Sequence, residues 1–296
     1  MKAKRTFAGL MLQAGLLVWS GSARAATCAV NPGNSGDSGQ QRILLKIYRN
    51  FLVVAEGQIG SVPERLNFVL DTGTAPSVID LKVVAGLGLR TVPSFTVALG
   101  TQVSTQTTTL PEIDLGPIRA TCLPVLVKDL SRMESDMGIP IAGIIGMDVL
   151  SKSNFRLDYD KSELEFRGIS HQGVPVHYDE RAGIAVANVS IAGKAVRMLV
   201  DTGSEFVVLL GGNFGEVGWL PLRNTSQSGA SLADQTMRIQ EFSAPYIRIG
   251  GRRFSMDTAY FVPGSADPVF DGLLGVRALG FRSLSYDRAR GTIYLE

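Results

Sequence analysis

Two short acidic motifs carry the chemistry this chain can do. Asp71-Thr72-Gly73-Thr74 returns 130 residues later as Asp201-Thr202-Gly203-Ser204. Each copy closes an apolar run, Leu66 to Leu70 in the first and Met198-Leu199-Val200 in the second. Each is followed by a Gly-bounded apolar pair, Gly143-Ile144-Ile145-Gly146 and Gly272-Leu273-Leu274-Gly275, with 75 residues from Asp71 to Gly146 and 74 from Asp201 to Gly275. A lone Asp-Thr-Gly reads as a turn after a strand, because Asp and Gly suit turns. Two copies in matched surroundings read as an internal repeat that contributes one carboxylate from each half. Two carboxyls held close together do not both ionise easily, so one keeps a proton while the other takes one from water. That is the requirement for a water-activating acid/base pair.

The elements that must position these residues are mostly strands. Alternation at Ile43 to Tyr48 and the run Leu66 to Leu70 predict strands leading into the first Asp. Ser77 to Leu81 reads as a short helix, followed by a turn at Gly86-Leu87-Gly88 that Val217-Gly218-Trp219 echoes in the second half. Gly86-Leu87-Gly88 lacks the third glycine of a nucleotide loop. Leu115-Gly116-Pro117-Ile118 and Ile249-Gly250-Gly251-Arg252 both predict hairpin turns. The turns at Asp160-Lys161-Ser162 and Asp287-Arg288-Ala289 feed final strands ending at Phe166 and Leu295. The boundaries read as a leader over 1–25, a flexible Gly/Ser/Asn-rich arm over 26–41, a first lobe over 42–168, a linker over 169–180 and a second lobe over 181–296.

With 296 residues, 45% apolar content, 33 Gly and 13 Pro, the chain suits two turn-rich globular domains. The basic start, the apolar stretch from Phe7 to Val18 and the Ala23-Arg24-Ala25 site predict an export leader cut before Ala26, hence a periplasmic or secreted protein. Removing the four basic residues of that leader leaves 25 basic against 27 acidic residues, and no basic stripe suggests nucleic acid. Cys28 and Cys122 could form one disulfide in an exported chain, though sequence does not settle whether they meet. With two cysteines and two histidines, no zinc cluster, other metal or cofactor is expected. His171 and His177 both fall on the connector, where they read as solvated residues rather than a catalytic base.

The paired Asp-Thr-Gly motifs and their apolar-apolar-Gly partners resemble the aspartic protease superfamily, the pepsin-like and retroviral-type enzymes. The resemblance covers nearly the whole chain after the leader. It implies a mostly β fold of two pseudo-symmetric, retropepsin-like lobes, each with a ψ-shaped Asp loop, and an active site between them. Short lobes in one chain imply a monomer. The implied activity is endopeptidase hydrolysis of a peptide or protein substrate by water activated between Asp71 and Asp201. In this resemblance Thr72 and Thr202 hydrogen-bond across to the opposite loop. Gly73 and Gly203 let the loops turn tightly and present N–H groups to the carboxylates. Thr74 and Ser204 can donate hydroxyl bonds to the outer carboxylate oxygens, which would favour an acidic optimum of about pH 4–6; the alternative is simple turn capping.

The chain also departs from the family pattern. The expected flaps fall near Gly100 to Leu110 and Ser228 to Gln240, and neither carries the tyrosine of pepsin-like flaps. Glu205 stands where retroviral enzymes carry an acid that touches substrate backbone, while the first lobe has Ala75; an exposed loop Glu is the other reading. No pepsin-type pro-segment fits between Ala26 and Arg42. Two rivals remain: a peptide-binding protein of the same fold that has lost turnover, and a metal-assisted hydrolase, which lacks His or a third acid at ligand spacing.

Overall fold

The computed structural model describes residues 15–16, 29–32, 42–60, 62–98, 101–214, 222–232, 235–242, 246–256 and 259–296. These residues form a mostly β molecule in which the sequence repeat becomes a repeat of strand topology. In the first half, Leu66–Leu70 runs into Asp71 and lies parallel to Gly143–Ile145, which is also antiparallel to Val78–Asp80. Val78–Asp80 in turn lies parallel to the end of Ile118–Lys128. In the second half Lys194–Asp201 lies parallel to Gly272–Gly275, Val207–Leu210 crosses antiparallel to it, and Ala259–Val262 completes the set.

The glycines of the Gly-x-x-Gly segments follow from this crossing. A Cβ on Gly143 would sit 2.5 Å from the Val78 carbonyl oxygen, and one on Gly272 2.2 Å from that of Val208. A Cβ on Gly146 or Gly275 would meet the carbonyl oxygen of Thr74 or Ser204 at 2.2 and 2.5 Å. Backbone passes backbone at both ends of each segment, so only glycine fits. The apolar pair between them is fully enclosed, with Ile145 and Leu274 each 1% exposed.

The first half begins with the hairpin Arg42–Tyr48/Leu52–Ile59, whose turn residues Arg49 and Asn50 both have positive φ. Its counterpart is Val174–Arg181/Ile184–Ile191, with Ala182 and Gly183 at positive φ. Both expected flap segments lie on long hairpins, Val92–Ala98/Thr101–Asp114 and Leu222–Leu232/Gln235–Phe242. The halves share a six-stranded sheet at the base. Its order runs from 42–44 through 163–166, 155–158, 283–287 and 292–295 to 174–177. Each half supplies three strands, and the stack of Tyr286 between Phe155 and Tyr178 (5.2 Å to each ring) seals its buried face.

Several sequence expectations change. Ser77 to Leu81 is not a helix: Val78–Asp80 is a buried strand, and the helix begins after it at Leu81–Gly86 with Asp80 as its N-cap. Three apolar residues hold too little periodicity to tell the two apart, and the flanking strands decide. The expected linker over 169–180 includes paired strand, with Val174–His177 against Leu295–Thr292. Within the expected flexible arm, Val30–Pro32 pairs with Ala120–Ile118. The hairpin turns at 115–118 and 249–252 form as read. The cleavage site, Cys28 and the echo at Val217-Gly218-Trp219 lie outside the described residues. No described helix is long and apolar enough to cross a membrane.

Candidate active site

The two Asp loops meet where the halves face each other. Asp71 and Asp201 are each wholly shielded from solvent, and their carboxyls lie within hydrogen-bond reach of one another. Each carboxylate receives its own loop's glycine N–H, Gly73 N to Asp71 Oδ1 and Gly203 N to Asp201 Oδ1, both at 2.7 Å. Each glycine also lies against the opposing acid. A Cβ on Gly73 would sit 2.6 Å from the Asp201 carboxyl carbon, and one on Gly203 2.8 Å from that of Asp71.

The threonines lock the loops reciprocally. Thr72 Oγ1 donates to the Val200 carbonyl at 2.8 Å and accepts the Thr202 N–H at 3.1 Å. Thr202 Oγ1 donates to the Leu70 carbonyl at 3.3 Å and accepts the Thr72 N–H at 3.1 Å. Both threonines are buried, so these four bonds satisfy groups that water does not reach.

The symmetry breaks one residue further on. Thr74 Oγ1 donates to Asp71 Oδ2 at 2.6 Å. Ser204, expected to do the same for Asp201, donates its hydroxyl to the Phe206 carbonyl at 2.9 Å. The physical reason is local: the chain after Ser204 folds back so that the Phe206 carbonyl comes within reach, where it also accepts the Gly275 N–H. No donor among the described residues reaches Asp201 Oδ2. Burial raises the affinity of both carboxyls for a proton. At Asp71 the Thr74 hydroxyl, Asp201 and the Gly73 and Gly203 N–H groups work against that rise. At Asp201 the negative charge of Asp71 adds to it, and the carboxyl is held well above the usual range. A buried carboxyl oxygen without a donor is costly unless it carries or shares a proton. Both carboxyls are thus raised, Asp201 the more strongly, and the Thr74 hydroxyl is the donor on Asp71 that has no counterpart on Asp201 Oδ2.

Glu205 is half-buried beside the second loop. Burial raises its carboxyl, and Arg49 on the first half's hairpin turn works against the rise. At the matched place in the first loop, Ala75 lies against Gly183, on the second half's hairpin turn. The first loop thus meets the first hairpin of the second half at Ala75, and the second loop's Glu205 feels the charge of Arg49 on the first half's hairpin turn.

Two further residues support the loops and escaped the sequence reading. Asp148, two residues after Gly146, is partly buried and accepts the Ser77 hydroxyl at 2.7 Å; desolvation pushes its carboxyl up. Ser77 Oγ in turn accepts the Gly146 N–H at 3.0 Å. At the matched position after Gly275 stands Arg277, which donates to Asn50 O and Oδ1 at 3.0 and 3.1 Å and lies 5.1 Å over the Tyr159 ring. The repeat alignment carried this signal, since both follow their Gly-x-x-Gly segment at equal spacing. His177 lies in the base sheet beside Thr292, and His171 precedes that strand with its ring on Asp287, so neither belongs to this site. No group of three or more His, Cys, Asp or Glu suited to a metal ion occurs among the described residues.

A family model described as aspartyl protease matches residues 55–149 and 187–278, one stretch for each half of the repeat and together more than half of the chain. The chain belongs to the aspartyl protease family. Each matched stretch of this family member spans its Asp loop and its Gly-x-x-Gly segment. No curated protein matches the chain.

Proposed function

We propose that the protein is an aspartic endopeptidase, hydrolysing peptide bonds with a water molecule activated between Asp71 and Asp201. The observation that carries this reading is the unequal dyad, with a Thr74 hydroxyl on Asp71 Oδ2 and no donor on Asp201 Oδ2. Asp71, stabilised as the anion, takes a proton from the water. Asp201 gives its proton to the scissile carbonyl oxygen as the water oxygen bonds to the carbonyl carbon. The product of that step is a tetrahedral diol, with no covalent bond to the protein. Asp71 then gives the proton it took to the amide nitrogen, the C–N bond breaks as a diol hydroxyl gives its proton to Asp201, and the dyad again holds one proton. The titration belongs to the pair, so a rate profile reports two macroscopic pKa values.

The substrate is a polypeptide in extended form, and Glu205 with Arg49 forms one end of the ground it lies on. We further read the protein as an exported monomer needing no metal or cofactor, from its leader and its two halves in one chain. The experiment is cleavage of a peptide library across pH, with and without a statine-type inhibitor. Cleavage blocked by the inhibitor and by Asp71→Asn or Asp201→Asn is expected. Peptides that bind at every pH without being cut would instead make this a binding protein of the same fold.

A further inference from the structure

A notch opens beside the first-half hairpin, on strands that do not carry the dyad. Strand Thr101–Asp114 pairs with Val92–Ala98 over residues 101–107 and with Ile118–Lys128 from Gln106 onward. Two prolines set the phase of these ladders. Pro93 stands opposite Gln106 and Pro124 opposite Thr109. A proline has no N–H, so each stands in a pair that does not exchange backbone bonds. Both prolines give the same answer: the N–H and C=O of Gln106 turn toward Val127, and two residues back those of Ser104 turn to the same side.

The next rung on that side would join Ser104 to Asp129, but the pairing stops at Gln106↔Val127. The chain leaves the sheet there. Asp129 Oδ1 accepts the Ser131 N–H at 2.9 Å at the start of helix Ser131–Met137, and Asp80 Oδ2 accepts the Leu130 N–H at 2.8 Å. The missing rung opens a cavity of about 290 Å³, with Leu81, Val103 and Val127 as its apolar wall and Ser104, Lys128 and Asp129 as its polar one. Leu81 is 46% exposed, unusually open for a leucine of this molecule.

We propose that this notch is a second peptide-binding site, where an extended stretch of the polypeptide substrate adds to strand Thr101–Asp114 at Ser104. The chemistry of the walls selects that occupant. A donor and an acceptor on one strand edge match the main chain of an extended peptide. The apolar wall takes one aliphatic side chain, and the Asp129 carboxylate is already engaged by the Ser131 N–H and hydroxyl in the field of Lys82, which suits a neutral main chain better than a charged small molecule. The proposal rests on the protease reading only in naming the substrate as the source of the strand. Because the notch lies on the same hairpin as the expected flap, a strand bound there ties that hairpin to the body of the first half. Substrates long enough to reach both sites are then held with a lower KM than short ones.

The test uses the full chain carrying Asp71→Asn and Asp201→Asn, so that nothing is turned over. The probe is a capped, fluorescent pentapeptide of alternating threonine and valine, followed by anisotropy. Saturable binding is expected, weakened by about five-fold in Ser104→Pro and in Leu81→Ser, as loss of one rung bond or one aliphatic contact implies. Amide exchange at Ser104 in the chain without those two substitutions should slow by about ten-fold when the probe is bound, which keeps the test decisive if Ser104→Pro disturbs folding. Absence of binding, equal binding by both variants, or unprotected Ser104 would overturn the proposal. None of these readings depends on turnover, so the notch can fail while the dyad stands, and the dyad can fail while the notch stands.

Discussion

Removing the Thr74 hydroxyl should move the acidic limb of the rate profile, and removing that of Ser204 should not. Thr74 Oγ1 donates to Asp71 Oδ2 at 2.6 Å inside a site closed to solvent, whereas Ser204 Oγ is engaged by Phe206. A hydrogen bond to a charged group contributes about 1.5–3 kcal/mol, and one pKa unit corresponds to about 1.4 kcal/mol. Thr74→Ala should therefore raise the pKa governing the acidic limb by about one to two units. The sign follows from the role proposed for Asp71: it must be ionised to take a proton from water, so activity rises as pH passes the lower macroscopic pKa of the pair. A higher pKa moves that rise to higher pH. Alanine is the right replacement because valine would hold a methyl group against Oδ2 at hydroxyl distance. Water entering the space left by the side chain would restore part of the donor and bring the shift toward the lower figure. The assay is kcat/KM for a quenched fluorescent peptide from pH 2.5 to about 8, within the range where each variant stays folded. Equal shifts in Thr74→Ala and Ser204→Ala, or no shift in Thr74→Ala, would refute the unequal dyad.

Asp71→Asn and Asp201→Asn should each lower kcat by about 10²–10⁴-fold, measured on the same peptide, while leaving the circular dichroism of the chain unchanged. Asp201→Asn should also raise the melting temperature at pH 8 more than at pH 3. A carboxyl whose folded pKa lies above its unfolded value stabilises the fold at low pH and loses that contribution as pH rises through the folded pKa. Gly272→Ala should destabilise the protein by at least about 1–3 kcal/mol, read from urea unfolding, because its Cβ would meet the Val208 carbonyl oxygen at 2.2 Å. Thr202→Val should cost about 1–3 kcal/mol by stranding the buried Thr72 N–H. EDTA should leave turnover unchanged; loss of activity in the chelator would favour a metal-assisted reaction.

The duplicated motif made the architecture readable because it bound residues far apart to one topology. Strands leading into Asp71 and Asp201, the hairpin turns at 115–118 and 249–252, and the final strands at 166 and 295 all follow from local pattern plus the repeat. Where local pattern stood alone it was weaker. Val78 to Asp80 could be helix or strand until the neighbouring strands were in place, and the stretch 174–177 looked like a connector because its partner lies at 292–295. The Ser204 hydroxyl was the hardest to foresee. Serine and threonine offer the same donor at matched positions, and the choice between Asp201 and Phe206 depends on a backbone carbonyl brought in by the fold of a short loop. Asp148 and Arg277 were readable from their spacing but carry opposite charges, which hides their equivalence.

A peptide has a direction, and a two-fold frame has none. In a frame made of identical halves, a substrate could lie either way across the dyad, with the proton as ready on one acid as on the other. Here the threonine grip and the crossing strands keep the frame nearly even, but Thr74 faces Asp71 without a counterpart on the other side. In the proposed reaction the carbonyl of a bound peptide comes to the acid that holds the proton, and the attacking water to the one that does not. There that hydroxyl, together with Glu205 standing opposite Ala75, gives the cleft a polarity. Exchanging the side chains at 74 and 204 would not suffice to reverse it, because the Phe206 carbonyl stays where it is and competes for whichever hydroxyl stands at 204. On the proposed function, the sense in which this chain reads another then follows from the bend of a loop rather than from the symmetry of its fold.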